Sequence, residues 1–349
     1  MNPLRVGVVG CGLIGSRRAK EASLDPRTRL ARVVDLDGGR AARVANELGC
    51  ESGEHWREVI QDPSIDVVVV STPNRFLGEI GIAALQSGKH VLVEKPPGRN
   101  LTETRALAEA SERSGRRLKI GFNHRYHPAI RRAHQMISEG AIGELINIRV
   151  RYGHGGRQGY EKEWRGDPEL AGGGELLDQG VHIADLVYWF LGLPSEAYAE
   201  LQTAVWPIAP LEDNAFGLFR YTNGSVASFH TSWTQWKNLF SFEIFGDAGS
   251  LCIEGLGGSY GTERLVLARR KPQGGVPEIR EEVFDGPDLS WNLEWKDFVS
   301  ALREGTPYQG GPEDGLAAMT MIDALYRSAE TKSLVRLNGV DVTQSARER

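Results

Sequence analysis

The sequence predicts two domains: an α/β domain built on a doubly wound parallel sheet, then an α+β domain with a large, mostly antiparallel sheet. Three observations predict this. The chain has 349 residues, and a domain takes roughly 100–200. Strand-like apolar runs alternate with helical patterns up to residue 122, the signature of a parallel sheet. Beyond it, alternating strands are joined by hairpin signals. The expected division is 1–122 and 123–349.

In the first domain, Arg5–Gly10 is a short apolar run that stops at glycine, and Leu13–Leu24 follows with helical spacing. Leu30–Asp35 reads as a strand and Arg40–Leu48 as a helix. Ile65–Ser71 contains four consecutive valines, as in a strand buried on both faces. A helix through Ala83 and Leu85 ends near Gly88, and His90–Glu94 is the next strand. Thr102–Ser114 is a helix with Thr102 as its expected N-cap, and Leu118–Phe122 is a strand.

In the second domain, helical patterns cover Pro128–Glu139 and Glu175–Leu191. Strands are expected at Leu145–Tyr152, Ala197–Val205, Ala215–Tyr221, Ser225–Ser232, Phe240–Phe245 and Leu265–Ala268. Asn223-Gly224 is a hairpin signal, and Asp247-Ala248-Gly249 closes another. Helices return at Asn292–Arg303 and Pro312–Thr331, while Pro207–Pro210 and Gln273–Pro277 read as loops.

The net charge of −5 and the absence of a Lys/Arg block argue against nucleic acid or an anionic membrane as partner. The three cysteines, Cys11, Cys50 and Cys252, make no CxxC pair and no zinc pattern. Scattered thiols fit a reducing compartment. The opening MNPLRVGVVGCG enters a strand with no leader-like apolar stretch, so a cytoplasmic location is expected.

Gly10-Cys11-Gly12-Leu13-Ile14-Gly15 follows a strand and opens a helix. In that context GxGxxG predicts a dinucleotide-binding Rossmann fold. The first glycine permits the tight turn, the second lets backbone approach a pyrophosphate, and the third lets helix and strand pack closely. Asp35 ends the second strand, where a carboxylate accepts hydrogen bonds from ribose hydroxyls and repels a 2′-phosphate. Asp37 adds a second charge, and no Arg directly follows Asp35. NAD is therefore expected over NADP.

Ligands in such sheets lie beyond the carboxyl ends of the strands. Two strand ends stand out: Ser71-Thr72-Pro73-Asn74 and Glu94-Lys95-Pro96-Pro97. Proline keeps the residue before it extended, which aims Lys95 at the crevice. Ser71, Thr72, Pro73, Asn74, Glu94 and Lys95 are the cofactor-side candidates.

Gly172-Gly173-Gly174 precedes Glu175-Leu176-Leu177-Asp178-Gln179-Gly180-Val181-His182. Asp178 and His182 are four apart, so one helix face would carry both. Two readings stand at this point: His182 is a general base near neutral pH, or the two are a core pair in which Asp178 fixes the imidazole.

The elements GCGLIG, STPN, VEKPP and GGGELLDQGVH are collinear, and together they closely resemble the Gfo/Idh/MocA oxidoreductases, the family of glucose–fructose oxidoreductase and inositol dehydrogenase. The resemblance implies an NAD-dependent dehydrogenase acting on a secondary alcohol of a sugar, sugar nucleotide or cyclitol, with no metal. The family's lysine, aspartate and histidine fall on Lys95, Asp178 and His182, which it assigns to catalysis. His182 would take the hydroxyl proton, Lys95 would hold the reacting oxygen and the nicotinamide ribose, and Asp178 would position substrate. Some members bind the dinucleotide and act only by protein contact, as non-catalytic regulators, which is the alternative reading.

Two positions depart from the family's pattern. Leu77 stands where members often carry His, and Asn123-His124-Arg125-Tyr126 stands where many carry paired arginines. His124 and Arg125 are thus substrate-side candidates whose partner is not carried over from inositol dehydrogenase. The stretch Tyr152–Arg165 mixes aromatic, basic and flexible residues. Tyr160, Trp164 and Arg165 suit a sugar face or an anionic group, or a subunit-interface loop. Trp233 is a further substrate-side candidate. The apolar strands after Ala215 predict a homodimer or homotetramer through sheet packing.

Overall fold

In a computed structural model that describes residues 2–337, six short strands run parallel in one sheet. They are β1 (Leu4–Val9), β2 (Thr28–Val34), β3 (Glu51–Gly53), β4 (Val67–Val70), β5 (His90–Val93) and β6 (Leu118–Ile120). Their order is β3-β2-β1-β4-β5-β6. The direction of winding reverses between β1 and β4, and such a switch leaves a crevice beyond the strand ends. Helices α1 (Leu13–Leu24), α2 (Gly38–Leu48), α3 (Trp56–Gln61), α4 (Asn74–Gln86) and α5 (Leu101–Ser114) alternate with the strands. All four valines of β4 are sealed from solvent, as a central parallel strand requires. Helix α5 is capped by Asn100, not Thr102: the Asn100 side chain accepts the Glu103 N–H. Asparagine is as good a cap as threonine, and it stands one residue ahead of the helix.

The second sheet has nine strands. They are β7 (Leu145–Gly153), β8 (Glu196–Gln202), β9 (Asn214–Arg220), β10 (Val226–Ser232), β11 (Leu239–Gly246), β12 (Gly249–Glu254), β13 (Glu263–Arg269), β14 (Glu278–Phe284) and β15 (Val335–Arg336). The order is β14-β13-β12-β11-β7-β10-β9-β8-β15. Every pairing is antiparallel except β7 with β10. Asn223-Gly224 turns β9 into β10, with Gly224 in the left-handed region at φ +91. Helices α6 (Pro128–Ser138), α7 (Pro168–Ala171), α8 (Glu175–Asp178) and α9 (Gly180–Leu191) precede or follow β7. The single helix expected over 175–191 is therefore two. It breaks at Gln179, where Gly180 weakens helical preference and the His182 N–H donates back to the Gln179 carbonyl at 3.0 Å.

Two further helices lie between β14 and β15, α10 (Ser290–Glu304) and α11 (Pro312–Thr331). The described chain divides into two compact units. One comprises Met1–Asn123, Glu169–Gly172 and Trp291–Leu316, and the other comprises His124–Pro168, Gly173–Ser290 and the chain from Ala317 onward. A single cut after residue 122 would have left α10 in the second part. Its apolar face decides otherwise: Trp295, Phe298 and Val299 are buried in one cluster with Val6, Val8 and Leu92 of the parallel sheet and with Ala19 and Ala22 of α1. Among the described residues, no helix is long and apolar enough to cross a membrane.

Candidate active site

In the first unit the glycine-rich turn is fixed by sterics. Gly10 has φ +92, and a side-chain carbon there would stand 2.5 Å from the Ser71 carbonyl oxygen. A side-chain carbon on Gly15 would run into the Gly10 carbonyl. One on Gly12 would meet nothing within 4 Å. The loop is thus closed against its own sheet at Gly10 and Gly15 and open in front at Gly12, as a backbone cradle for a pyrophosphate must be. Leu13 and Leu36 are 81% and 82% exposed, so large apolar side chains are held out at the ends of β1 and β2. Ile14 is half-buried.

Asp35 follows β2. Its carboxylate accepts the Cys11 N–H at 2.7 Å and the Asp37 N–H at 2.9 Å. No arginine follows it directly, but Arg40 folds back from the first turn of α2. Its guanidinium lies 3.3 Å from Asp35 and 3.4 Å from Asp37. The local charge is therefore less negative than the two aspartates alone suggest.

At the end of β4 the Ser71 and Thr72 hydroxyls are buried with no hydrogen-bond partner. A buried hydroxyl without a partner is costly, and these two sit at the switch point where a dinucleotide would supply acceptors. The residues present fit such a group. Pro73 is the residue before α4. Asn74, the further cofactor-side candidate here, donates its amide N–H to the Ala171 carbonyl at 2.8 Å.

At the end of β5, Glu94 accepts from Arg18 at 2.7 Å and from the Lys95 N–H at 3.3 Å. The Lys95–Pro96 peptide is cis. Arg18 also pairs with Glu294 of α10, and both side chains are sealed from solvent. Burial works against the Arg18 charge, but Glu294 and Glu94 outweigh it and hold the guanidinium above its usual range. The base of the Glu94-Lys95 strand end is thus tied, through Arg18, to Glu294, 200 residues after Glu94 in sequence.

In the second unit, Gly173-Gly174 leads into α8. A side-chain carbon on Gly174 would collide with the Glu212 backbone. The buried Glu212 carboxylate accepts the Gly174 N–H at 3.1 Å, the Leu176 N–H at 3.0 Å and the Tyr326 hydroxyl at 2.8 Å. Burial raises its pKa despite these donors. Glu212 anchors the turn that carries Asp178, and nothing in the sequence marked it.

Asp178 accepts from Arg165 Nε at 3.1 Å. The Arg165 guanidinium lies 4.4 Å over the Trp164 ring. Burial opposes its charge, but Asp178 and Tyr160 raise it above its usual range. His182 is buried. Its ring stacks on His124, with centroids 3.7 Å apart and planes 14° from parallel. His124 Nε2 shares a hydrogen bond with the Tyr152 hydroxyl at 3.0 Å. Gln179 Nε2 donates to the Tyr260 hydroxyl at 3.0 Å, and the Tyr152 and Tyr260 rings are 5.2 Å apart. Burial pushes the Tyr260 hydroxyl up to about 12, so at neutral pH it remains a proton donor.

Two of the substrate-side candidates, Arg125 and Trp233, have partners within the unit. Arg125 forks onto Asp185 at 2.6–3.1 Å, with both side chains sealed from solvent, so its charge is answered inside the unit. Trp233 is buried and stacks on Tyr160 at 4.8 Å. Tyr160 is itself buried, and the two rings form part of the packing beneath the 153–166 loop. Tyr152, Gln179 and Tyr260 join the site. Tyr152 was legible as the last inward position of an alternating strand, whereas Tyr260 lies in a glycine-rich loop with no such signal. Among the described residues, no group of three or more His, Cys, Asp or Glu could hold a metal ion.

Comparison with known proteins matches residues 4–122 to the oxidoreductase family with an NAD-binding Rossmann fold. Residues 130–252 match the GFO/IDH/MocA C-terminal domain. Levoglucosan dehydrogenase of Pseudarthrobacter phenanthrenivorans is 27% identical over 96% of this chain and 98% of its own. D-xylose 1-dehydrogenase (NADP(+)) 2 of Haloferax volcanii is 27% identical over 95% of this chain and 99% of its own. A structure of levoglucosan dehydrogenase in complex with NADH and levoglucosan superposes with a TM-score of 0.86, at 26% identity, covering 97% of this chain and 100% of that one. The Haloferax relative is named for NADP(+), the levoglucosan dehydrogenase structure holds NADH, and the two are named for different sugars. The two matches fall in order on the parallel-sheet part and the mostly antiparallel part of one chain, and the chain belongs to the Gfo/Idh/MocA family of NAD(P)-dependent oxidoreductases.

Proposed function

We propose that the chain is a dehydrogenase, preferring NAD, that acts between a secondary alcohol and the corresponding ketone of a sugar-like or cyclitol substrate. The observation that carries this reading is the buried His182 imidazole, held face to face with His124 in the turn that also bears Asp178. A histidine fixed in one plane and shielded from water is suited to move a proton at a defined oxygen. A regulator with no chemistry to perform has no need of that arrangement.

When bound, the nicotinamide accepts or returns the hydride. Gly10, Gly12, Leu13, Ile14 and Gly15 would hold its pyrophosphate side, and Ser71 and Thr72 would donate to it. His182 removes the hydroxyl proton in one direction and returns it in the other. Lys95 donates to the reacting oxygen and steadies the charge that develops there. Asp178, oriented by Arg165, accepts from a hydroxyl neighbouring the reacting carbon and sets which carbon is presented. The Asp35 carboxylate favours ribose hydroxyls over a 2′-phosphate, and Arg40 softens the preference without reversing it.

The face of the nine-stranded sheet that carries Phe216, Val226 and Phe245 is proposed to pair with a second copy of the chain. Light scattering on the purified protein tests this, and a monomer at micromolar concentration would remove it. The activity itself is tested by NADH formation from NAD over a panel of sugars and cyclitols. NAD binding with no turnover on any member would favour the regulator, and higher kcat/KM with NADP would overturn the cofactor preference.

A further inference from the structure

We infer that the substrate is an uncharged sugar or polyol, rather than a sugar acid, sugar phosphate or sugar nucleotide, and that Arg165 and Asp178 together read two adjacent hydroxyls on it. The inference rests on the function proposed above and narrows its substrate class. Anionic sugars are recognised by guanidinium groups whose charge is available to the ligand. Near the Asp178–His182 turn the sequence offers three such groups, Arg125, Arg157 and Arg165. In the second unit each already faces a carboxylate. Arg125 is forked onto Asp185. Arg157 is forked onto Glu163, at 2.8 and 2.7 Å. Arg165 is bonded to Asp178 at 3.1 Å.

An anion that approaches any of these guanidiniums meets the paired carboxylate at nearly the same distance, so repulsion offsets attraction. A neutral polyol meets no such penalty. Of the three pairs, Arg125–Asp185 is sealed, with side chains 1% and 0% exposed. Arg165–Asp178 stays within reach of a ligand, at 30% and 15%. Its guanidinium plane is fixed against Trp164. A guanidinium beside a carboxylate sets donors next to acceptors. That is the complement of a vicinal diol, in which each hydroxyl both donates and accepts.

Equilibrium binding to the full-length chain saturated with NADH tests this without turnover. Matched ligands are titrated by calorimetry or ligand-observed NMR: D-glucose against D-glucuronate, and methyl α-D-glucoside against UDP-glucose. The neutral member is expected to bind about tenfold or more tightly in each pair. In Asp178→Asn, which leaves Arg165 without its counter-charge, that discrimination should shrink about tenfold or reverse. A gain of anion affinity is a result that misfolding does not produce. Tighter binding of the anionic member by the unmodified protein would overturn the inference, and unchanged discrimination in a folded, NADH-binding Asp178→Asn would overturn the role given to the Arg165–Asp178 pair. Binding of neither class, with the sugars and cyclitols of the activity panel added to the neutral set, would instead sink the sugar-dehydrogenase reading itself, and this inference with it. The wild-type comparison needs no variant, so a substitution that misfolds leaves it standing.

Discussion

His124 lies flat against His182, ring centroids 3.7 Å apart, and is itself pinned by the Tyr152 hydroxyl. The plane of the proposed general base is thereby set by a residue on a different segment of chain. His182→Ala and Lys95→Ala should each lower turnover by about 10²-fold or more, the usual scale of general acid–base contributions. His124→Ala should lower kcat with NAD affinity retained. His124→Phe, which restores a flat ring, should recover most of the loss. Steady-state kinetics on the sugar or cyclitol identified by the panel measures all four, and equal rates for the Ala and Phe variants would show that the stacked ring does not matter.

Gly12 and Gly15 separate binding from folding. Gly12 adopts φ −64 and has open space before it, a conformation alanine tolerates. Gly12→Ala should leave thermal stability within about 0.5 kcal/mol of the parent while weakening NAD by about tenfold, since the added methyl occupies the cradle. Gly15→Ala should instead lower the melting temperature, because its methyl collides with the Gly10 carbonyl. Calorimetry of both variants with and without NAD makes the comparison. Full NAD affinity in Gly12→Ala would place the dinucleotide elsewhere.

Glu294→Ala removes one partner of a sealed ion pair and leaves the Arg18 guanidinium short of a counter-charge. Breaking such a pair costs about 3–5 kcal/mol. Urea unfolding should show that loss, and a change below about 1 kcal/mol would mean that water or a rearranged Glu94 satisfies Arg18 instead.

Glu263 gives a pH-dependent test. Burial raises its pKa, but the His127 imidazole at 2.6 Å and the N–H groups of Gly257 and Ala129 outweigh burial and lower it. A carboxyl whose pKa is lower folded than unfolded stabilises the fold above its unfolded value, and that stability is lost as pH falls through the folded value. Glu263→Gln should therefore be less stable than the parent at pH 7. The gap should narrow as pH falls below the ordinary glutamate value of about 4.3 and close only below the lowered folded value, where the parent carboxyl is itself protonated. Unfolding curves across that range check the sign, and a gap that widens in acid would contradict it.

How much was legible in the sequence follows from how local each determinant is. The valine run of β4 and the glycine turn declare themselves because period and residue type suffice. Helix α1 begins at Leu13 and ends at Leu24, as its spacing alone predicts. Strand β14 does not declare itself: Glu278–Phe284 is an exposed edge strand of charged residues, held by backbone pairing to β13 and not by an apolar face. The anchor at Glu212 was invisible for a related reason, since its carboxylate meets the Gly174 and Leu176 N–H groups across a long sequence separation. The break at Gln179 is local, but Gly180 alone does not announce it. The arginines near the site were found by residue type, but their carboxylate partners were not, because pairing is a property of the folded unit. The proposed preference for an uncharged substrate rests on those partners, Asp178, Asp185 and Glu163.

The return of residues 291–316 to the parallel-sheet unit bears on how that unit can be handled in isolation. A fragment ending at residue 122 would carry Val6, Val8 and Leu92 without Trp295, Phe298 and Val299 against them, and Arg18 without Glu294. Such a piece would expose fresh apolar surface and an ill-matched buried cation. An autonomous cofactor-binding fragment of this chain therefore needs residues 291–316 joined by a linker to the first 123, with 169–172 as the one short stretch of the unit left out.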